Sequence, residues 1–238
     1  WYINQQEHIS GGAFSKAKKT GITNLMWLCY LNWATMTKNI NLGHMNLDVP
    51  KGAKTFRDHF MYAYNNLPTA LQPQIKSKSE TDGQITFGYR FGNNTRAKNK
   101  RSYEEDELGT SILCVPAVLN AFDVDVFAGE WYDEYPKHKS DFGEIYRSNE
   151  EGTALQDINV GKKYLTSYTP EGETPSFFSA KGIYYNSELR TIRPDSGGRT
   201  ASGLICWHIP AYQSWTSEFD KNGRCREAEA MKKILARR

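Results

Sequence analysis

The order of three segments near the start of the chain constrains its fold more than any other feature. Residues 13 to 16 read as the end of a strand, "KAKKTGIT" from Lys16 to Thr23 is a basic turn around one glycine, and "ITNLMWLCYLNWATM" continues from Ile22. That last run is apolar nearly all round to about Met36, which predicts a buried helix rather than an amphipathic surface one. A helix starting at Gly21 presents free backbone N–H groups to whatever the turn holds. Strand, basic glycine turn and helix therefore come in the order a phosphate-binding loop requires. Such a loop usually reads G-x-x-x-x-G-K-[ST]. Here Gly21 and Thr23 keep their places, while Lys16 stands in the first glycine slot and Ile22 in the lysine slot. The competing reading is a basic surface turn, where lysine pairs before a glycine are common.

The rest of the chain alternates in the same manner. "NINLGHMNL", "QITFGYRFG", "TSILCVPAV", "VDVFAGEWYDEY", "KKYLTSYTP" and "GLICWHIPAY" read as strands, "AKTFRDHFMYAYNNL" has helical spacing with Pro68 to stop it, and "REAEAMKKILARR" predicts a final helix. Strands interleaved with helices predict an α/β sheet, largely parallel, with any ligand at the carboxyl ends of its strands. No internal repeat is present. The 238 residues suffice for one large domain or two small ones with a sizeable core. No apolar run approaches the ~20 residues that span a bilayer, and no secretory signal opens the chain. A net charge of +3 is too small to argue nucleic-acid binding by itself. Cys29, Cys114, Cys206 and Cys225 lie far apart without a C-x-x-C pair, which argues against a zinc site and for reduced thiols in a cytosolic setting. His8, His44, His59, His138 and His208 are equally scattered and read as structural or exposed. Residues 93 to 108, "NNTRAKNKRSYEEDEL", carry four basic and then four acidic residues, either a solvated loop or a contact surface for DNA or a neighbouring subunit.

Three elements together suit a nucleotide. The first is the turn of Lys16, Lys18, Lys19, Thr20, Gly21, Ile22 and Thr23. Phosphates need a nearby cation and several N–H donors, since charge spreads over the phosphoryl oxygens as the leaving-group bond loosens. Lys18 or Lys19 can supply the cation from upstream, because a lysine stem reaches roughly 6 Å, and the Thr23 hydroxyl can ligate Mg²⁺. The second element is "WYDEY", with Asp133 and Glu134 at the end of an aromatic-rich strand that Gly129 and Glu130 interrupt. In ATP-hydrolysing folds the first acid of such a pair orients Mg²⁺ and the second polarises the attacking water; an isolated Asp-Glu pair is also an ordinary surface feature. The third is "YLTSYTP", which places hydroxyls at a strand tip where they can sense a γ-phosphate. The joint order is more specific than any part.

At this point the residues resemble the large terminase subunit of tailed bacteriophages, the motor that packages DNA into proheads. "KAKKTGIT" is similar to that family's loops with a displaced basic residue. "NNLPTALQP", "GTSILCVPAVLNAFDVDVFAGEWYDEYPK" and the S/T-x-T-P coupling motif "TSYTP" follow in family order, and "GLICWHIPAYQSWTSEFDKNG" resembles a further family stretch. The resemblance implies an ATPase domain with a RecA-like P-loop core, forming a homo-oligomeric ring that translocates double-stranded DNA with ATP and Mg²⁺. It also implies a portal protein and a small terminase subunit as partners, no membrane, and the cytoplasm of the infected bacterial host as location. Carried over, Lys18 is the catalytic phosphate-binding cation, Thr23 and Asp133 hold the metal, Glu134 is the catalytic carboxylate, and Ser167 and Thr169 couple hydrolysis to movement.

Some positions depart from the family pattern. The turn has lysines where arginine is more frequent, and lysine lacks the bidentate fork. Arg96, Arg101 and Arg147 are guesses for an arginine acting on a neighbour's ATP, and Gln5 and Gln6 stand close to the loop for adenine-binding glutamines. The chain opens on Trp1 and, after Thr169, has only Asp195 and Asp220 among aspartates. Residues 1–238 are thus expected to be a motor domain without the family's metal-binding nuclease. Two other readings stay open: a catalytically weak nucleotide- or DNA-binding module of the same fold, and a structural interaction protein whose lysine-rich turns hold a partner.

Overall fold

The computed structural model describes residues 9–16, 20–88, 107–123, 125–155, 158–166, 174–192, 194, 196–209, 220–222 and 226–236. Within them, each expected strand and helix forms. The strands are β1 (Gly11–Lys16), β2 (Asn41–Asn46), β3 (Ile75–Ser79), β4 (Gln84–Phe87), β5 (Ser111–Pro116), β6 (Phe127–Asp133), a short hairpin of β7 (Ala154–Leu155) and β8 (Ile158–Asn159), β9 (Lys162–Thr166) and β10 (Leu204–Ile209). The helices are α1 (Ile22–Met36), α2 (Val49–Thr55), α3 (Tyr62–Asn65), α4 (Phe142–Ser148), α5 (Pro175–Tyr185) and α6 (Glu227–Leu235). A π-helical stretch, Phe56–Met61, joins α2 to α3 in one rod and buries Phe56, Phe60 and Met61 on one side. The sequence reading did not anticipate β3, the β7–β8 hairpin, α4 or α5.

One eight-stranded sheet organises the described residues in the order β10-β1-β9-β6-β2-β5-β4-β3. Its first six strands are mutually parallel, and β4 and β3 extend it as an antiparallel hairpin. Parallel strands need crossovers, which supply the helices on both faces. On one face Trp27, Tyr30 and Leu31 of α1 and Phe56 and Phe60 of the rod pack on Leu42, Ile112 and Trp131. On the other, Phe142 and Ile145 of α4 and Ala180 of α5 pack on Met45, Tyr132 and Leu165. Local capping fixes where the covering helices start. Asp48, Asp141 and Thr174 each accept a backbone N–H from the first turn of α2, α4 and α5, a contribution of about 1 kcal/mol each.

Two sequence features that looked like defects have packing reasons. Gly129 leaves room for Trp33, whose ring would lie 2.8 Å from an added Cβ, and its carbonyl accepts the Tyr30 hydroxyl at 3.1 Å. Glu130 points to the opposite face, where it pairs with Lys163, 3.6 Å away, and accepts from the Tyr132 hydroxyl at 2.5 Å. The expectation for α1 needs correction. Only one side of it is buried; Leu25, Leu28 and Met36 are half-exposed on the other. Its apolar residues outnumber those that one sheet face can cover.

Candidate active site

Parallel pairing brings the ends of β1, β9 and β6 side by side, although their residues lie far apart in sequence. Asp133 ends β6 in register with Thr166, which ends β9, and β9 also pairs with β1, which ends at Lys16. Alternation along each strand puts Lys16, Thr166, Asp133 and Trp131 on the sheet face that α1 covers. The Thr166 hydroxyl donates to Asp133 Oδ1 at 2.7 Å, and the Glu134 N–H donates to the same oxygen at 3.1 Å. Asp133 is 4 % exposed. Burial pushes its carboxyl up to about 6, against the pull of the Thr166 hydroxyl and then of the Lys16 charge. At neutral pH the group is therefore mostly a buried carboxylate, an arrangement that asks for a cation.

Glu134 begins the next turn in a left-handed conformation, φ 52° and ψ 33°. Non-glycine residues adopt this region uncommonly, and functional positions are where it recurs. Its N–H also donates to the Thr166 carbonyl at 3.0 Å, so the backbone around the second acid is fixed from two sides. Its carboxylate is about one-third exposed and lies 3.6 Å from the mostly buried Lys137 ammonium. The turn itself is tied down by the Ser176 hydroxyl of α5, which donates to the Tyr135 carbonyl at 3.3 Å.

After β1 the described chain resumes at Thr20 and enters α1, which covers this face of the sheet. Gly21 caps α1 with φ 81°, without a side-chain hydrogen bond, and no acidic residue occupies the first helical turn. The N-terminal N–H groups are consequently not screened by a carboxylate, which suits an anion. The buried Thr20 Oγ1 has no hydrogen-bond partner among the described residues. Ile22, in the usual lysine slot, packs against the aromatic cluster of Trp27 and Tyr30. That explains its apolar character: the slot faces the core. Thr23 is half-buried one residue further on. Among the described residues no three or more His, Cys, Asp or Glu side chains converge as a metal cluster. The donors at this end, a carboxylate and a threonine hydroxyl, fit a magnesium ion that takes its other ligands from phosphate and water.

Several expected site residues are elsewhere or outside view. Lys18, Lys19, Ser167 and Thr169, with Gln5, Gln6, Arg96 and Arg101, lie outside the described residues. Arg147 sits in the last turn of α4, its Nε donating to the Gly143 carbonyl at 3.1 Å. Buried His44 and His138 are held neutral by desolvation, at about 3 and about 4, and His208 meets Ser15 at 3.2 Å. His44 and His138 are thus buried in the core and His208 is exposed, consistent with the reading of the histidines as structural or exposed. Sequence reasoning missed Thr166 and Trp131. The first directly precedes Ser167, and period-two alternation puts the second on the same face as Asp133, but nothing in the text says that β9 lies beside β6.

No family model matches the sequence, and no curated protein matches it. The structure matches solved structures of phage large terminases. Against the ATPase domain of the large terminase of Thermus phage P74-26 the TM-score is 0.64 at 11% identity, covering 98% of this chain and 85% of that one. Against the large terminase of another thermophilic bacteriophage it is 0.56 at 12% identity, over 94% of this chain and 46% of that one. Against the bacteriophage HK97 large terminase it is 0.56 at 13% identity, over 96% and 43%. The chain thus spans under half the length of the latter two. Structures of the second of these three proteins include complexes with ADP and with ATP-gamma-S. The described sheet, with its parallel core and covering helices, has the RecA-like fold of the phage large terminase ATPase domain.

Proposed function

We propose that this chain hydrolyses ATP at the joined ends of β1, β9 and β6, as the motor domain of a phage DNA-packaging terminase. The observation that carries the reading is the meeting of Lys16, Thr166 and the Asp133–Glu134 pair at one end of three adjacent parallel strands. In this reading the N-terminal N–H groups of α1, with Thr20, Gly21 and Ile22 of the turn, receive the phosphates, and Lys16, Lys18 and Lys19 bring positive charge from upstream. Thr23 and Asp133 would hold Mg²⁺, which neutralises charge on the phosphates. Glu134 orients the attacking water and draws off its proton as the γ-phosphoryl group departs. Ser167 and Thr169, one and three residues after Thr166, sense the change and pass it on.

The domain would act in a homo-oligomeric ring that draws double-stranded DNA into a prohead in the host cytoplasm, with a portal protein and a small terminase subunit as partners. A basic channel surface should lose its grip as salt rises. A second reading, a nucleotide- or DNA-binding module with little turnover, is favoured by one observation, the packing of Ile22 where a lysine usually stands. Steady-state hydrolysis by two variants tests the displaced-lysine reading. Lys18→Ala should abolish turnover, while Ile22→Ala should keep most of it per folded molecule. Equal loss in both would sink the assignment.

A further inference from the structure

We propose that Trp131 is a positioning residue for Asp133 and acts through the Thr166 hydroxyl; the proposal rests on reading this strand end as a nucleotide site. An indole N–H can only donate. Trp131 Nε1 lies 2.6 Å from Thr166 Oγ1, so that oxygen accepts. A threonine hydroxyl carries a single hydrogen, and it is directed at Asp133 Oδ1, 2.7 Å away. The Asp133 carboxylate can only accept, so the hydroxyl hydrogen serves it, and the indole N–H occupies a lone-pair side of the same oxygen and locks the hydroxyl in that rotation. Without the indole the hydroxyl is free to turn its hydrogen away from the carboxylate. With the Glu134 N–H also on Oδ1, that oxygen is anchored twice. Oδ2 has no hydrogen-bond partner among the described residues and is the oxygen left for a ligand.

The indole can direct the hydroxyl because its own orientation is fixed. Trp131 is fully buried and lies edge-on to Trp27 at 5.2 Å and to Tyr30 at 5.8 Å, with the neutral His44 ring 4.3 Å away. His44 is in turn held by Cys114 Sγ, 3.4 Å from its Nδ1. A buried indole in this core does not find a partner by default, since Trp27 Nε1 has none among the described residues. A branched aliphatic residue at position 131 would fill the same strand position and leave the hydroxyl free to rotate. The site's first carboxylate is thus oriented from the aromatic core beneath it.

The test is a double-mutant cycle on Mg-ATP hydrolysis, paired with NMR of the unliganded protein. Trp131→Phe and Thr166→Val should each lower kcat about tenfold, the size of one lost positioning hydrogen bond, with KM within about twofold. The double variant should be no slower than Thr166→Val alone, and Thr166→Ser should restore most of kcat. Losses that multiply in the double variant, or wild-type kcat in Trp131→Phe, would overturn the proposal. The Asp133 Cγ carbon resonance should move in both Trp131→Phe and Thr166→Val and return in Thr166→Ser. An unmoved Asp133 resonance would overturn the proposal whatever the turnover. Should Trp131→Phe fail to fold, Thr166→Val decides the matter, since its Trp131 indole N–H resonance must shift. Expected NMR shifts in a wild type without turnover would uphold the orientation of Asp133 and contradict the ATPase reading alone.

Discussion

Strands β6 and β9 bury two acids three residues apart, and the two could hardly be used more differently. Glu130 faces Lys163 across the pair in register, and Asp133 faces Thr166. Both carboxyls are desolvated, Glu130 to about 7 and Asp133 to about 6. Glu130, however, has its countercharge inside the protein. The Lys163 ammonium lies 3.6 Å away, donates to the Asn149 carbonyl at 2.6 Å and rests over the Tyr146 ring. Among the described residues Asp133 has only a neutral hydroxyl and a backbone N–H as hydrogen-bond donors, with Lys16 contributing from a distance. A buried acid with its countercharge closes a fold; a buried acid without one, at the open end of parallel strands, is where the proposed reading puts a cation.

The largest predicted effect is at the open end. Glu134→Gln should retain ATP binding and lose turnover by about 10²–10⁴-fold, the usual worth of a general base. Retained turnover in that variant would show that the carboxylate polarising water is elsewhere. At the closed position, Lys163→Met should strand Glu130 and cost about 3 kcal/mol at pH 8. The cost should shrink at pH 5, where Glu130 takes up a proton, as chemical denaturation at the two pH values will tell. A smaller effect is expected where the turn meets the core. Ile22→Lys should destabilise by about 1–2 kcal/mol, because the new ammonium must leave an apolar contact. It should not speed hydrolysis; a gain in rate would mean that the usual lysine slot does reach the phosphates.

A further effect is in the pH profile of stability. Both acids hold a proton in the folded protein at pH values where the unfolded chain has released it. Stability should therefore fall as pH rises, through the window from 3.8 to about 6 for Asp133 and from 4.5 to about 7 for Glu130. Asp133→Asn should flatten the lower window and Glu130→Gln the upper one. Profiles unchanged by both substitutions would mean that neither group is protonated by burial.

Much of this was legible in the sequence, and what was not has a common cause. Apolar runs bounded by turn residues announced β1, β2, β5, β6, β9 and β10, and the acidic pair announced the end of β6. Strand order was not legible, because pairing between β1, β9 and β6 depends on contacts between segments distant in sequence. Thr166 and Trp131 went unnoticed for that reason. Helices α4 and α5 are short and mix aromatic with small polar residues, so their burial of Phe142, Ile145 and Ala180 follows from the sheet beneath them rather than from a clean period. The apolar excess of α1 misled in the other direction, since hydrophobicity alone does not say which side a sheet will cover.

The most direct test of the account sets the two buried acids against each other. Phosphate release from Mg-ATP would be measured for Asp133→Asn and Glu130→Gln beside the wild type, with each rate expressed per folded molecule. The account predicts that Asp133→Asn loses at least about 100-fold, while Glu130→Gln stays within about threefold of wild type despite its lower stability. Equal losses in the two variants, or an active Asp133→Asn, would contradict the division of β6 and β9 into a closed pair and an open site.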